Sequence, residues 1–318
     1  MVLRAARGTG ADAAWKQRPL GGPSGKGVPR RRGHPGRTRF GKMPGDRGGD
    51  ACAGAVQRRV RKDEGIAMPG KRLLIVLAHP DDETFICGGG VAAFCAAGGE
   101  AILACATRGE HGRRLGKPPY ATRETLPAIR EAELRQACST LGIANLILLG
   151  LRDKCLEYED PDALAARVAV HIRRLRPDGV LTFHERRGGH TDHCAIGRAA
   201  TRAWERSGDA AWHPEQLTEG TQAFQPPRLY FLAGGDVAAH PDKHGVVPEQ
   251  LTTVCCRPVA ERKMRAHRAH RTQTQLDSKL WNADEAGVIE RFAAGREHFQ
   301  QANAPFCPGE QGLLGMYV

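Results

Sequence analysis

Apolar residues in this chain fall into ordered blocks only from Lys71 onward, where strand-like runs alternate with helix-like stretches. Leu73 to Leu77 is apolar throughout and reads as a buried strand of a parallel sheet. Glu83 to Ala97 reads as a helix closed by Gly98-Gly99. Ala101 to Ala106 is predicted as a second strand, Arg123 to Leu141 as a long helix ended by Gly142, and Leu146 to Leu149 as a third strand. Pro161 to Leu175 follows as a helix with proline in its first turn. Gly179 to Phe183 is the fourth strand, and Asp192 to Glu205 the next helix. Arg228 to Leu232 and Leu251 to Cys255 supply a fifth and a sixth strand, and Arg257 to Leu280 and Asp284 to Phe299 read as closing helices. This alternation argues an α/β fold: a doubly wound, mostly parallel sheet with helices on both faces.

Open sheets of this kind bind ligands beyond the carboxyl ends of their strands, where the strand order reverses. Ala78-His79-Pro80-Asp81-Asp82-Glu83 follows the first strand directly, and His190-Thr191-Asp192-His193 follows the fourth. A catalytic zinc takes three protein ligands and keeps one position open. His79, Asp82 and His193 supply two imidazoles and a carboxylate for that purpose. Such an ion polarises a carbonyl and lowers the pKa of water. Adjacent side chains diverge, so Asp81 is left outside the coordination sphere, where it is a natural general base. His190, three residues before His193, shares its face if a helix opens there. A protonated His190 would stabilise an oxyanion and protonate a leaving amine, with Asp192 holding the imidazolium by a charge-assisted hydrogen bond. Each residue also has a plainer reading, since Asp81, Asp82 and Asp192 all stand where helix N-caps stand. Two His/Asp clusters at strand exits of one sheet favour the metal site and a metal-dependent hydrolase.

Charge changes the picture only at the N-terminus. Of the formal net charge of +12, residues 1–67 carry most, with 16 Lys and Arg against 5 Asp and Glu. The basic character therefore belongs to a Gly/Arg/Pro-rich segment without hydrophobic periodicity, which is expected to be disordered. As a nucleic-acid-binding arm it is poor in aromatics, having only Trp15 and Phe40. Met68-Pro69-Gly70-Lys71, just before the first strand, would make a natural start, so the catalytic domain is taken as residues 68–318. Ten cysteines include no C-x-x-C pair, and Cys87, Cys95, Cys105 and Cys138 fall within apolar patterns as small hydrophobes. That usage implies a reducing, cytoplasmic setting. Cys255-Cys256 reads as two packed residues at a strand end rather than a redox pair. No apolar run is long enough to span a membrane, and no secretory signal is visible.

The motif Ala78-His79-Pro80-Asp81-Asp82-Glu83 after its strand resembles that of the LmbE-like (PIG-L) family of metal-dependent N-deacetylases. That family includes the glycosylphosphatidylinositol-pathway de-N-acetylase and the deacetylases of mycothiol and bacillithiol synthesis. Thr107-Arg108-Gly109-Glu110 with Gly112 is similar to its loop after the second strand. Arg130 with Glu133-Leu134, Leu148-Leu149-Gly150-Leu151 with Asp153, and Lys263 with His270-Arg271-Thr272-Gln273 extend the likeness over residues 71–280. The resemblance implies a Rossmann-like fold and removal of an N-acetyl group from an amino-sugar-containing small molecule. It implies the same site as the residues did: His79, Asp82 and His193 on the metal, Asp81 as base, and His190 as electrostatic catalyst and acid beside Asp192. The implied metal is zinc, with iron(II) the alternative for a His₂-carboxylate set. Arg108, Glu110, Arg113 and Arg187 are candidate substrate contacts. Two positions depart from the family: Thr191 stands where proline is common, and Gly188 where some members carry tyrosine. The rival activities are an amidase cleaving a larger amide, such as a thiol-sugar conjugate, and nucleic-acid binding through the basic arm. A nucleotide-binding module is disfavoured, because the first strand-helix turn carries carboxylates instead of G-x-G-x-x-G.

Overall fold

Among the described residues, seven strands make one sheet: β1 (Arg72–Leu77), β2 (Glu100–Thr107), β3 (Asn145–Leu151), β4 (Gly179–Thr182), β5 (Arg228–Ala233), β6 (Leu251–Cys255) and β7 (Arg296–Gln301). The computed structural model describes residues 70–274, 287 and 289–302. The expectations for the basic segment 1–67 and for a start at Met68 lie outside the described residues. The strand order is β3-β2-β1-β4-β5-β7-β6. β1 to β5 run parallel to one another, and β7 is antiparallel to both β5 and β6. Leu73 to Leu77 of β1 are fully buried, as an apolar run at the centre of a two-layered sheet must be.

Among the described residues the layers are completed by the helices α1 (Asp82–Phe85), α2 (Gly88–Ala96), α3 (Leu126–Leu141), α4 (Pro161–Leu175), α5 (Thr191–Arg206), α6 (Gly235–Ala239) and α7 (Ala260–Ala269). α4 packs on α5, whereas α2 and α3 pack on α7. The chain lays down β1, β2 and β3 in one direction, then returns to place β4 on the other side of β1. That reversal opens a crevice between the carboxyl ends of β1 and β4. Both His/Asp motifs emerge into it.

Three expected elements change form. The helix predicted over Glu83 to Ala97 is divided into α1 and α2 at Cys87, next to Gly88-Gly89-Gly90. These glycines open α2 so that the amides of Gly89 and Gly90 donate to the Glu297 carboxylate at 2.9 and 2.7 Å. A Cβ on Gly89 would overlap Cys256 Sγ, and one on Gly90 would lie 2.7 Å from the Phe299 ring. Lys263 Nζ, 2.9 Å from Glu297, completes a buried ion pair. The helix N-terminus that could receive a phosphate is thus filled by the chain's own carboxylate.

The second change concerns Asp284 to Phe299, expected as a helix. Ile289–Ala293 forms one π-helical turn, but Arg296–Gln301 is strand β7. Glu297 and Phe299 both point inward from it, and those partners override a polar, helix-compatible sequence. Third, the helix expected to run from Arg257 to Leu280 ends at Ala269. There the Thr272 N–H turns away to donate to Glu133 at 2.9 Å; residues 275–280 lie outside the described residues.

Candidate active site

Asp81 is placed by an unusual backbone. Its φ of 118° lies in the left-handed region that non-glycine residues avoid. The surroundings grip its backbone and one oxygen of its carboxylate. Its N–H donates to Glu83 Oε2 at 3.0 Å, its carbonyl accepts from Thr84 Oγ1 at 3.0 Å, and Arg130 Nη2 donates to its Oδ2 at 2.9 Å. Arg130 is itself buried and also donates to the carbonyls of Pro80 and Gly109. A side chain at Gly109, whose φ is +62°, would run into that guanidinium. Burial pushes the Asp81 carboxyl up to about 6, with Arg130 opposing and Asp82 adding to the rise. Because 28% of the side chain is exposed, solvent still reaches it.

Behind Asp81 lies a fully buried pair. His270 Nε2 is 2.6 Å from Glu83 Oε1, and neither side chain has any exposed surface. Burial disfavours the His270 imidazolium, but Glu83 raises its pKa overall. Thr84 Oγ1 lies 3.0 Å from His267 Nδ1. Burial, then the neighbouring His270, bring His267 down to about 3.

The expected metal ligands converge. His79 Nδ1 is 3.2 Å from His193 Nε2, His193 Nε2 is 3.3 Å from Asp82 Oδ1, and His79 Nδ1 is 3.7 Å from Asp82 Oδ2. Ligand atoms about 2.0–2.1 Å from a tetrahedral zinc stand roughly 3.3–3.4 Å apart, so the three residues fit such an ion. Their outer nitrogens are fixed as metal-ligating histidines require. His193 Nδ1 donates to the Gly188 carbonyl at 2.8 Å, and its ring stacks on Phe183. His79 Nε2 faces Asp192 Oδ2 at 3.1 Å and Asp153 Oδ1 at 3.2 Å. Burial disfavours the His79 imidazolium, but hydrogen bonds with Asp153, Asp192 and Asp82 push it up to about 12. Burial also disfavours the Asp82 carboxylate, but His193 and His79 hold it well below the usual range.

The structure corrects the expected partner of Asp192. Its carboxylate is buried, reaches His79, and accepts the N–H groups of Lys154 at 2.7 Å and Leu156 at 3.2 Å. It does not hold the His190 imidazole. Instead the Asp192 backbone N–H donates to His190 Nδ1 at 3.1 Å, making His190 the N-cap of α5. A backbone N–H can only donate, so His190 Nδ1 accepts in this arrangement and Nε2 is the ring's remaining donor.

His79, Asp81, Asp82, Arg130, His190 and His193 all line one pocket of about 610 Å³. A larger cavity of about 840 Å³, beside Arg262 and Ile289, brings together no comparable set of metal-ligating groups among the described residues. Of the four expected substrate contacts, Arg113 lines the pocket. Arg108 pairs with Glu131 at 3.1 Å, and Arg187 is held by Gln300 and the His244 carbonyl. The Glu110 carboxylate accepts the Asp153 N–H at 2.9 Å, holding the loop that carries Asp153. Asp153, Arg130, Glu83 and His270 received no role from sequence reasoning. Their only signal was membership of the motifs, because their partners are remote in the chain. Gly188 is also explained: a Cβ there would lie 2.7 Å from His193 Cβ, so this chain has no room for a tyrosine at that position.

Residues 74–204 match the family described as PIG-L, GlcNAc-PI de-N-acetylase. A probable N-acetyl-alpha-D-glucosaminyl L-malate deacetylase 2 of Bacillus cereus is 34% identical, over 70% of this chain and 96% of that protein. The chain belongs to the PIG-L family. A 1D-myo-inositol 2-acetamido-2-deoxy-alpha-D-glucopyranoside deacetylase of Thermobispora bispora is 30% identical, over 78% of this chain and 96% of that protein. The N,N'-diacetylchitobiose deacetylase of Pyrococcus horikoshii shares the fold, with a TM-score of 0.58 at 20% identity over 73% of this chain and 84% of that one. This PIG-L protein therefore has the α/β architecture read from its hydrophobic pattern. Among its described residues no helix is long and apolar enough to cross a membrane.

Proposed function

We propose that residues 68–318 form a divalent-metal-dependent N-deacetylase that hydrolyses the acetamide of an N-acetylglucosamine-containing small molecule. The observation that carries this reading is the meeting of His79, Asp82 and His193 beside a carboxylate, Asp81, that is gripped by Arg130 instead. The relatives' names share an acetamido sugar and differ in what it is joined to, malate or myo-inositol. His79, Asp82 and His193 would hold the ion, with zinc favoured and iron(II) compatible with the donors. When bound there, such an ion polarises a carbonyl and acidifies water.

The protein groups divide the remaining work. Arg130 occupies Asp81 Oδ2, leaving Oδ1 to take a proton from the attacking water. A pKa near 6 suits a group that accepts this proton and then returns it to the leaving nitrogen. His190 donates its Nε2 proton as a hydrogen bond to the oxygen that gains charge. Acetate and a free amine leave. A cytoplasmic setting belongs to the same proposal, and the eight described cysteines are free thiols.

Acetate release from a panel of N-acetylglucosaminides, with and without chelator and with metal analysis, tests the reading. Chelator-sensitive release across the panel is the expected result. Cleavage of larger thiol-sugar amides without release of acetate would favour the amidase alternative.

A further inference from the structure

We infer that Glu83, oriented by His270, is a positioning residue for Asp81: it holds the left-handed turn that keeps the Asp81 carboxylate apart from the metal-ligating Asp82. The inference rests on the reading of Asp81 as the base and adds how the chain aims it. Asp81 and Asp82 are adjacent, yet their carboxylates face different partners. Asp82 reaches His79 and His193, and Asp81 reaches Arg130. The φ of 118° at Asp81 belongs to that turn, and a non-glycine residue keeps such a value only where its surroundings over-determine it. Glu83 supplies the constraint. Its Oε2 accepts the Asp81 N–H at 3.0 Å, while its Oε1 lies 2.6 Å from His270 Nε2. The side chains of Glu83 and His270 are both fully buried. His270 Nδ1 is buried too and meets no hydrogen-bond partner among the described residues, so the imidazole serves Glu83 alone there.

The frame behind this pair closes on the helix that grips Asp81 from the other side. His270 follows α7 directly, and its carbonyl accepts the N–H groups of Gln273 and Thr274 at 3.0 and 2.8 Å. Two residues on, Thr272 donates its N–H and its hydroxyl to Glu133 at 2.9 and 2.6 Å. Glu133 stands on α3 three residues after Arg130, which donates to Asp81 Oδ2 and to the Pro80 carbonyl. Residues at that spacing share one face of a helix. That face of α3 therefore fixes Asp81 twice. Arg130 holds its carboxylate directly, and Glu133 holds its N–H through the turn after α7, His270 and Glu83. Replacing a buried charged pair by apolar side chains of similar volume is often neutral for stability. The strained residue that Glu83 meets gives the pair a use that stability alone does not.

Replacing both members at once, Glu83→Met with His270→Leu, removes the clamp without stranding a buried charge. The metal-loaded double variant is expected to keep its metal and its KM for an N-acetylglucosaminide, while kcat falls about 10- to 100-fold because the base is misplaced. Glu83→Gln retains an acceptor for the Asp81 N–H and should restore most of that rate. In an Asp81→Asn background the double substitution should lower kcat no further, because its effect passes through the Asp81 carboxylate. Crystal structures of the variants read the clamp without turnover. Asp81 φ should leave the left-handed range in the double variant and stay within it in Glu83→Gln. Should the double variant be too unstable to assay, Glu83→Asp, too short to reach both the Asp81 N–H and His270, is read in the same way. An unchanged kcat, an equal further loss in the Asp81→Asn background, or a φ still near 118° once the clamp is removed would overturn the inference. Full turnover by Asp81→Asn would sink the base reading alone, because φ still shows whether Glu83 holds the turn.

Discussion

Replacing Asp192 with alanine separates two accounts of this site. The buried carboxylate lies 3.1 Å from His79 Nε2 and also accepts the Lys154 and Leu156 N–H groups. Losing a carboxylate that orients a metal-ligating histidine typically weakens metal affinity about 10- to 100-fold. Asp153 remains 3.2 Å from the same nitrogen. The single substitution should therefore fall at the lower end, about tenfold or roughly 1.4 kcal/mol, and adding Asp153→Ala should take the loss toward about 100-fold. The metal-free protein should lose stability separately. The buried Leu156 N–H and the part-buried Lys154 N–H lose their acceptor, at a cost of about 1–3 kcal/mol together. Competition against a chelator of known affinity gives the zinc dissociation constant, and urea unfolding of the metal-free protein gives the stability. Unchanged zinc affinity with a collapsed kcat would refute the reasoning. Asp192 would then serve His190, as the sequence pattern alone suggested.

Three further outcomes are expected. Asp81→Asn should keep full metal content while kcat falls by about a hundredfold or more; undiminished turnover measured with metal analysis would remove Asp81 as the base. With its pKa at about 6, Asp81 must be ionised to accept a proton, so kcat/KM should decline as pH drops through that value. Arg130→Met removes the cation that lowers it and should move this acid limb to higher pH by about 1 to 2 pH units; a pH profile with an unmoved limb contradicts the assignment. His270→Ala strands the buried Glu83 carboxylate and should destabilise the protein by about 3–5 kcal/mol in urea unfolding. Because His270 has a raised pKa when folded, its contribution is full below the unfolded histidine value of about 6.5 and is lost as pH rises through the folded one. The gap between wild type and variant should therefore narrow toward alkaline pH, and a gap that widens there would contradict the pairing.

Hydrophobic order along the chain determined a great deal by itself. Apolar runs such as Leu73 to Leu77 can only be buried strands, so their ends mark where polar groups must surface. His79, Asp81 and Asp82 sit at one such end, and His190 and His193 follow another. The parallel sheet, the crevice and the meeting of His79, Asp82 and His193 were legible for that reason. The same pattern misread Arg296–Gln301, because nothing local in that segment announces the buried Gly89 and Gly90 amides that Glu297 meets.

Tertiary structure alone decided which buried charge answers which. Arg130 reaches Asp81 across 49 residues, Asp192 reaches His79 across 113, and His270 reaches Glu83 across 187. Periodicity encodes which face of an element is buried, a local property. The partner of a buried charge is set by whichever chain segment folds against it, and the high cost of leaving that charge unpaired makes the choice strict. Sequence therefore placed the candidate site residues at the strand ends, and the fold assigned their orientation and the carboxylates that hold them.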